Sequence, residues 1–319
     1  MARHVRGADS LGADSLSADS LGGRYSLLER IGVGSMAVVH RAFDEFLERE
    51  VAVKLIHSTA VTEAELRRSD IEVKLLARLN HPGLVTLLDA GTEWTSDGVP
   101  RIFLVMELVS GPDLRARLKE GPLPPARVAE IGHDLAEALD YIHGRGVVHR
   151  DVKPANILLL DDAVKGSGSL KGNGSIKGTR AHAKLTDFGI ACMTESVMTL
   201  EDAVSGTPAY LSPEQVRGES VSPASDIYSL GLVILQSLTG ELAFPGAPLE
   251  SAVRRLTQGP PIPETVDPLW RELVLGMTAL EPSQRLTAAD AAAALYRLAA
   301  LGAVGGLVPL DVHSAILAT

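Results

Sequence analysis

One cysteine, Cys192, stands in 319 residues. No internal disulfide can form, and a lone thiol fits a reducing compartment. Lysine is scarce as well: eight lysines stand against 22 arginines, so a lysine inside an apolar run calls for a reason. There is no long basic block and the net charge is −10, which argues against nucleic acid as a partner. No run of 18 apolar residues occurs. The nearest candidate, residues 298–310, is short and broken by three glycines and Pro309, so no membrane span is expected. The opening MARHVRGADS lacks the apolar core of a secretory leader. These absences point to a soluble, cytoplasmic chain, or to the cytoplasmic part of a longer one. What is present is 45% hydrophobic and 22% charged, a globular composition able to bury a sizeable core.

The pattern predicts an α+β chain in two lobes. A pentad repeat, GADSL-GADSL-SADSL, opens it; its small, acidic composition reads as a disordered tail over residues 1–23, with Ser10, Ser15 and Ser20 as phosphate acceptors in the sharper reading. Folded sequence is expected over 24–302. Strand-like runs at 25–34, 38–45, 50–56, 84–88 and 101–108, with one helix at 62–79, predict a five-stranded antiparallel sheet lobe over 24–109, the TEWTSDG before the last run reading as a turn. Helical periods at 124–144, 223–238, 268–280 and 287–300 predict a larger, mainly helical lobe over 110–302. Inside it, KGSGSL-KGNGSI-KG has linker composition and marks a flexible insertion at about 162–182; residues 303–319 read as a tail.

Several stretches carry chemistry. Gly32 and Gly34 in IGVGSMAVVH begin a phosphate-cradling pattern whose third glycine is replaced by Ala37; alone this is a weak signal. Alternation along Val51-Ala52-Val53-Lys54 places Ala52 and Lys54 on one strand face. Glu72, Leu75, Leu76 and Leu79 share one helix face, so Glu72 needs a cation, and Lys54 suits it. In His149-Arg150-Asp151-Val152-Lys153-Pro154-Ala155-Asn156 an acceptor for a hydroxyl proton, a phosphate cation and a metal-binding amide stand between two apolar runs. Asp187, before Phe188-Gly189, ends a short strand, and a carboxylate with the Asn156 amide suits a hard divalent cation such as magnesium.

Taken in order, Gly32-x-Gly34, Val51-Ala52-Val53-Lys54, Glu72, His149-Arg150-Asp151 with Asn156, Asp187-Phe188-Gly189 and Ser212-Pro213-Glu214 resemble the protein-kinase signature set over about residues 24–300. The run Gly206 to Gln215 is similar to bacterial serine/threonine kinases of the eukaryotic type. The resemblance implies a bilobal kinase fold and transfer of the ATP γ-phosphate to Ser/Thr hydroxyls of proteins. It implies Asp151 as catalytic base, Lys153 at the γ-phosphate, Lys54 held by Glu72 at the α/β-phosphates, and Asn156 with Asp187 as ligands of magnesium, or of manganese in its place. Ile31, Gly32, Val33, Gly34 and Ser35 would lie over the nucleotide, with Val39, Ala52 and Leu158 around adenine. Met106 would stand at the entrance to the hinge, and backbone groups of Glu107 and Val109 would pair with the adenine edge.

His149, Phe188, Leu76 and Leu87 match the family's apolar spine. Asp226 matches its anchor for the catalytic loop, Glu214 with Arg285 its buried ion pair, and Thr207 a residue shaping the acceptor site. Arg150 resembles the arginine that pairs with an activation-loop phosphate. Thr199 is the main expected autophosphorylation site, Glu201 a built-in partial mimic of a second phosphate, and Thr194, Ser196 and Ser205 further candidates; autophosphorylation implies a transient homodimer. Expected partners are therefore ATP and protein substrates, with no nucleic acid. The alternatives are a pseudokinase scaffold, a small-molecule phosphotransferase of kinase-like fold, and an interaction module.

Overall fold

Period-two alternation builds the first of two units, which comprises residues 1–58 and 90–108. In Arg49–Ile56 the branched side chains of Val51 and Val53 are fully buried, and Ala52 and Lys54 take the other face. The computed structural model describes residues 20–34, 37–56, 73, 76–94, 100–160, 181–187 and 208–303. Its strands are β1 (Ser20–Leu21), β2 (Tyr25–Val33), β3 (Ala37–Asp44), β4 (Arg49–Ile56), β5 (Leu87–Trp94) and β6 (Pro100–Glu107), in the sheet order β1-β2-β3-β4-β6-β5.

The described sheet thus has six strands where five were expected. The extra one belongs to the last pentad repeat: Ser20 and Leu21 pair with Ser26 and Tyr25, and Leu21 is buried. The repeat therefore enters the sheet at Ser20, inside the segment expected as tail. The fourth expected strand also moves, from 84–88 to Leu87–Trp94. Thr92-Glu93-Trp94, expected as the start of a turn, continues this strand instead. Gly91 lets it do so beside an aromatic ring, since a Cβ there would stand 2.4 Å from the Phe103 ring. Phe103 in turn meets Tyr25 edge-on at 6.1 Å.

The turn from β3 to β4 is clamped by charge. Arg24 donates through Nε and Nη2 to the two oxygens of Asp44, each at 2.8 Å, and the amides of Phe46 and Leu47 donate to Asp44 Oδ1. The Arg24 hydrogen bonds hold the buried Asp44 carboxyl down at about 2.

In the second unit, residues 59–89 and 109–319, the described regular elements are helices and a hairpin of β7 (Ile157–Leu159) and β8 (Ala183–Leu185). Its described helices are α1 (Leu114–Leu118), α2 (Pro125–His143), α3 (Pro213–Arg217), α4 (Pro223–Thr239), α5 (Pro248–Thr257), α6 (Pro268–Met277) and α7 (Ala288–Ala303). Four were expected within a few residues of these bounds; α1, α3 and α5 were not. Helix α5 escaped notice because its polarity is inverted: Ser251 and Arg255 are buried, while Leu249 and Val253 are exposed.

Helix α4 is apolar nearly all round and buried along most of its length, as such a helix must be. It starts in a Ser222/Ser225 capping box and stops at Gly240, whose φ of 79° no β-carbon residue adopts readily. Gly231 lets α4 press on α6: a Cβ there would stand 2.7 Å from Thr278 and 3.0 Å from Met277. His182, placed in the insertion by composition, is tied instead to α2, its backbone N–H donating to Asp134 Oδ2. Most of the expected helix at 62–79, the insertion's repeat and the residues beyond 303 lie outside the described residues. Among the described residues no helix is long and apolar enough to cross a membrane.

Candidate active site

Residues opposite one another in an antiparallel ladder share a sheet face. In the first unit Gly32 stands opposite Val39, Val39 opposite Lys54, and Ala52 opposite Met106. Ala52 and Lys54 are two residues apart on β4. One face of this sheet therefore carries Gly32, Val39, Ala52, Lys54 and Met106, five of the residues expected at the nucleotide. Glu107 ends β6 and Val109 follows just beyond, both half-buried.

The glycine hairpin closes with Gly34 N–H donating to the Ala37 carbonyl at 2.9 Å. Ile31 and Val33 are largely exposed, and a Cβ on Gly32 or Gly34 would find only ordinary contacts, with Val39 and the Ala37 carbonyl. Ala37 itself is the first residue of β3, opposite Ile56 and buried. Its methyl group is sheet core, so a third glycine is not needed to form the turn. Ser35 lies outside the described residues, as does Glu72, the partner expected for Lys54.

The second unit builds its constellation around one carboxylate. Asp226, in the first turn of α4 and 1% exposed, accepts from the backbone N–H of His149 at 2.8 Å and from that of Arg150 at 2.8 Å. His143 Nε2, at the end of α2, lies 2.8 Å from the same carboxylate. With two amides and a ring nitrogen on one side chain, residues 149 and 150 have little freedom. Arg150 has a φ of +69°, a left-handed conformation costly for a residue with a Cβ, and both flanking groups hold it. Its N–H goes to Asp226, and its carbonyl accepts from Gln215 Nε2 at 2.8 Å. His149 is fully buried; Asp151 N–H points at its Nδ1 at 3.3 Å, which leaves Nε2 to donate to the Thr186 carbonyl at 3.0 Å.

Asp151 is presented to the outside of this frame. Lys153 Nζ donates to Asp151 Oδ2 at 2.7 Å. Asn156 Nδ2 donates both to that oxygen, at 2.9 Å, and to the Asp151 carbonyl, at 2.8 Å. The 3-10 turn Pro154–Asn156 makes these reaches short. Because Asn156 turns its amide nitrogen toward Asp151, its Oδ1 is the oxygen left for a cation. The backbone bond from Thr186 N to the Asn156 carbonyl, 2.9 Å, sets Asp187 one residue from that amide across the β7–β8 hairpin. Asp187 also has a positive φ, 59°. An amide oxygen and a carboxylate so placed fit a hard divalent cation that takes its remaining ligands from phosphate and water. Among the described residues no cluster of three His, Cys, Asp or Glu could hold a metal by itself. Leu158 is half-buried in β7, opposite Lys184.

Below this frame, Arg285 clasps Glu214 through two bonds of 2.7 and 2.8 Å, and Ser225 adds a third at 2.6 Å. Burial pushes the Glu214 carboxyl up, but these bonds outweigh it and hold it at about 2. The sequence pairs Glu214 with Arg285 and anchors the loop on Asp226 only through resemblance, and both contacts are present. It does not single out His143 or Gln215. Neither has a spacing that marks it, since each reaches the loop only through the packing of its helix. Phe188, Thr207 and the candidate phosphate acceptors Thr194, Ser196, Thr199 and Ser205 lie outside the described residues.

Comparison with known proteins identifies the family. The family described as protein kinase domain matches residues 25–296. The serine/threonine-protein kinase PknB of Mycolicibacterium smegmatis is 39% identical over 289 residues, covering 87% of this chain and 43% of that protein. PknB of Mycobacterium leprae is 39% identical over 288 residues with the same coverage. The serine/threonine-protein kinase PknL of Mycobacterium tuberculosis is 37% identical over 273 residues, 83% of this chain and 63% of that protein. The crystal structure of Rad53 1-466 in complex with AMP-PNP superposes with a TM-score of 0.65 at 29% identity, covering 84% of this chain and 64% of that one. The chain thus spans less than half the length of the PknB relatives it matches. A family match over most of the chain, with relatives this similar across seven-eighths of it, means that the chain belongs to the protein kinase domain family.

Proposed function

We propose that this chain is a serine/threonine protein kinase that transfers the γ-phosphate of ATP to protein hydroxyls. The observation that carries the reading is the convergence of Lys153 Nζ and Asn156 Nδ2 on Asp151 Oδ2, on a loop whose backbone is fixed by Asp226. Such a carboxylate is oriented before any substrate arrives, and phosphoryl transfer depends mainly on positioning and charge stabilisation.

In this reading Asp151 accepts the proton of the acceptor hydroxyl through the oxygen not engaged by Lys153 and Asn156. Lys153 then shifts its charge toward the phosphate being transferred. Asn156 and Asp187 hold magnesium, which when bound neutralises phosphate charge. From the first unit, Lys54 binds phosphate oxygens, Ile31 to Ser35 lie over the nucleotide, and Val39, Ala52 and Met106 contact the base from their common sheet face. Leu158, Glu107 and Val109 complete the base contacts. Glu72 is the partner of Lys54, and Thr199 the main regulatory phosphate acceptor, reached by a second copy in a transient homodimer. Location in the cytoplasm and the lack of a nucleic-acid partner belong to the same reading.

The test is transfer of labelled γ-phosphate to a Ser/Thr peptide library by the purified chain. Asp151→Asn should lower the rate at least a hundredfold and Lys54→Ala similarly, both remaining folded. Transfer that survives Asp151→Asn within threefold contradicts the assignment.

A further inference from the structure

Helix α5 buries the wrong residues for an ordinary surface helix. Arg255 is 0% exposed and Ser251 4%, whereas Leu249 and Val253 are 63% and 52% exposed. Burying a guanidinium is costly, and burial pulls the pKa of Arg255 below its ordinary value. Its donors are well used. Nε donates to the Ser251 carbonyl at 3.2 Å, Nη2 to Ser251 Oγ at 3.3 Å, and Nη1 leaves the helix to reach the Leu211 carbonyl at 3.1 Å. Ser251 Oγ donates onward to the Phe244 carbonyl at 2.8 Å.

Leu211 belongs to the short segment Pro208 to Ser212, whose polar groups are pinned from the interior. The Tyr210 carbonyl accepts from Ser229 Oγ at 2.8 Å, and the Tyr210 hydroxyl donates to Gln236 Oε1. Ser212 N–H donates to Gln215 Oε1 at 3.0 Å, and the other end of the same amide, Gln215 Nε2, donates to the Arg150 carbonyl at 2.8 Å. Arg150 is bonded to Asp151. A continuous path of hydrogen bonds and short backbone therefore runs from α5 through Leu211, Ser212 and Gln215 to the residue beside the proposed base.

A protein hydroxyl arrives at Asp151 with chain on either side of it, and that chain needs a surface held at a fixed distance from the carboxylate. Pro208 to Ser212 is tied to the Asp151 loop in this way. We propose that Arg255 is a positioning residue for the protein acceptor, setting the Leu211 carbonyl and with it the segment that receives the residues flanking the acceptor hydroxyl. The inference rests on the kinase reading above and adds to it a determinant of protein-substrate binding that lies outside the nucleotide machinery. Arg255 does not touch the substrate; it acts through Leu211.

The alternative is that Arg255 only holds α5 in place. Arg255→Met separates the two, because it keeps the long apolar stem and removes every donor. Removing the desolvated charge offsets the loss of its hydrogen bonds, so a melting temperature within a few degrees of that of the unsubstituted chain is expected. Steady-state rates are measured with the peptide that the unsubstituted chain phosphorylates fastest from a degenerate Ser/Thr library, and ATP hydrolysis is measured without peptide. Loss of the Leu211 bond should raise KM for the peptide about tenfold. KM for ATP and peptide-free hydrolysis should stay within about twofold, and Arg255→Lys, which keeps a cationic donor group, should recover part of the loss. Gln215→Met cuts the same path from a half-buried position; it should raise peptide KM as Arg255→Met does and lower kcat as well, because it also frees Arg150 beside Asp151, and it keeps the test available if Arg255→Met does not fold. A peptide KM within twofold of the unsubstituted chain in both variants overturns the proposal. So does a parallel loss of peptide and ATP affinity with a lowered melting temperature, the mark of a purely structural arginine. An unsubstituted chain that transfers no phosphate overturns the kinase reading itself, a result distinct from either.

Discussion

Asp226→Asn is the sharpest perturbation of the loop that carries Asp151, because it changes one atom's chemistry at a side chain 1% exposed. The carboxylate supplies two acceptor oxygens, one to Arg150 N–H and one shared by His149 N–H and His143 Nε2. Asparagine supplies a single oxygen. If that oxygen stays with His149 and His143, the new NH2 group faces Arg150 N–H, donor against donor. A buried donor left without an acceptor costs about 1–3 kcal/mol, and the bonds that remain lose their charge assistance, about 1 kcal/mol each. Allowing for relaxation, the expected destabilisation is about 3 kcal/mol, read as a lower urea midpoint at unchanged slope. The same change releases the left-handed Arg150 and with it Asp151. A displacement of about 1 Å at a catalytic group lowers kcat by about a hundredfold. Phosphate transfer measured at 10 °C, where the variant remains folded, separates this from simple unfolding. An unchanged urea midpoint together with kcat within threefold would refute the reasoning.

The Glu214–Arg285 pair should behave as a buried ion pair. Arg285→Met leaves the carboxylate uncompensated and should cost about 3–5 kcal/mol by urea unfolding, most of it recovered in the double variant Glu214→Leu, Arg285→Met. The folded pKa of Glu214 is lowered from 4.5 to about 2, so its stabilisation is present above about pH 4.5 and is lost as pH falls toward 2. Glu214→Gln should therefore flatten the acid limb of the stability profile, and an unchanged limb would contradict the pairing. Gly231→Ala should destabilise by about 1–3 kcal/mol, since its Cβ would stand 2.7 Å from Thr278, while Gly259→Ala, with nothing near, should be close to neutral; equal melting temperatures for the two variants would show that α4 and α6 can move apart freely.

Much was legible in the sequence because it is local. Alternation alone put Ala52 and Lys54 on one face of β4, and the longer apolar helices, α2, α4, α6 and α7, were visible from their composition and period. The order and spacing of the kinase motifs identified the family. The losses have a common cause. Leu21 looked like part of a polar repeat and is sheet core because β2 is there to pair with it. Thr92 to Trp94 looked like a turn and are strand because β6 lies alongside. Helix α5 was invisible because its buried face is polar, and periodicity counts only apolar residues.

The sequence by itself determined on which kind of element most of the described candidate residues stand. Short-range sterics and period decide that much, and neither needs the rest of the chain. Tertiary structure decided which of them meet. Asp226 reaches back 77 residues to His149, Gln215 reaches 65 residues to Arg150, and Arg285 reaches 71 residues to Glu214. A hydrogen bond needs its partners within about 3 Å, and only the packing of the elements that carry them, α3 and α4 among them, brings groups so distant in sequence to that range.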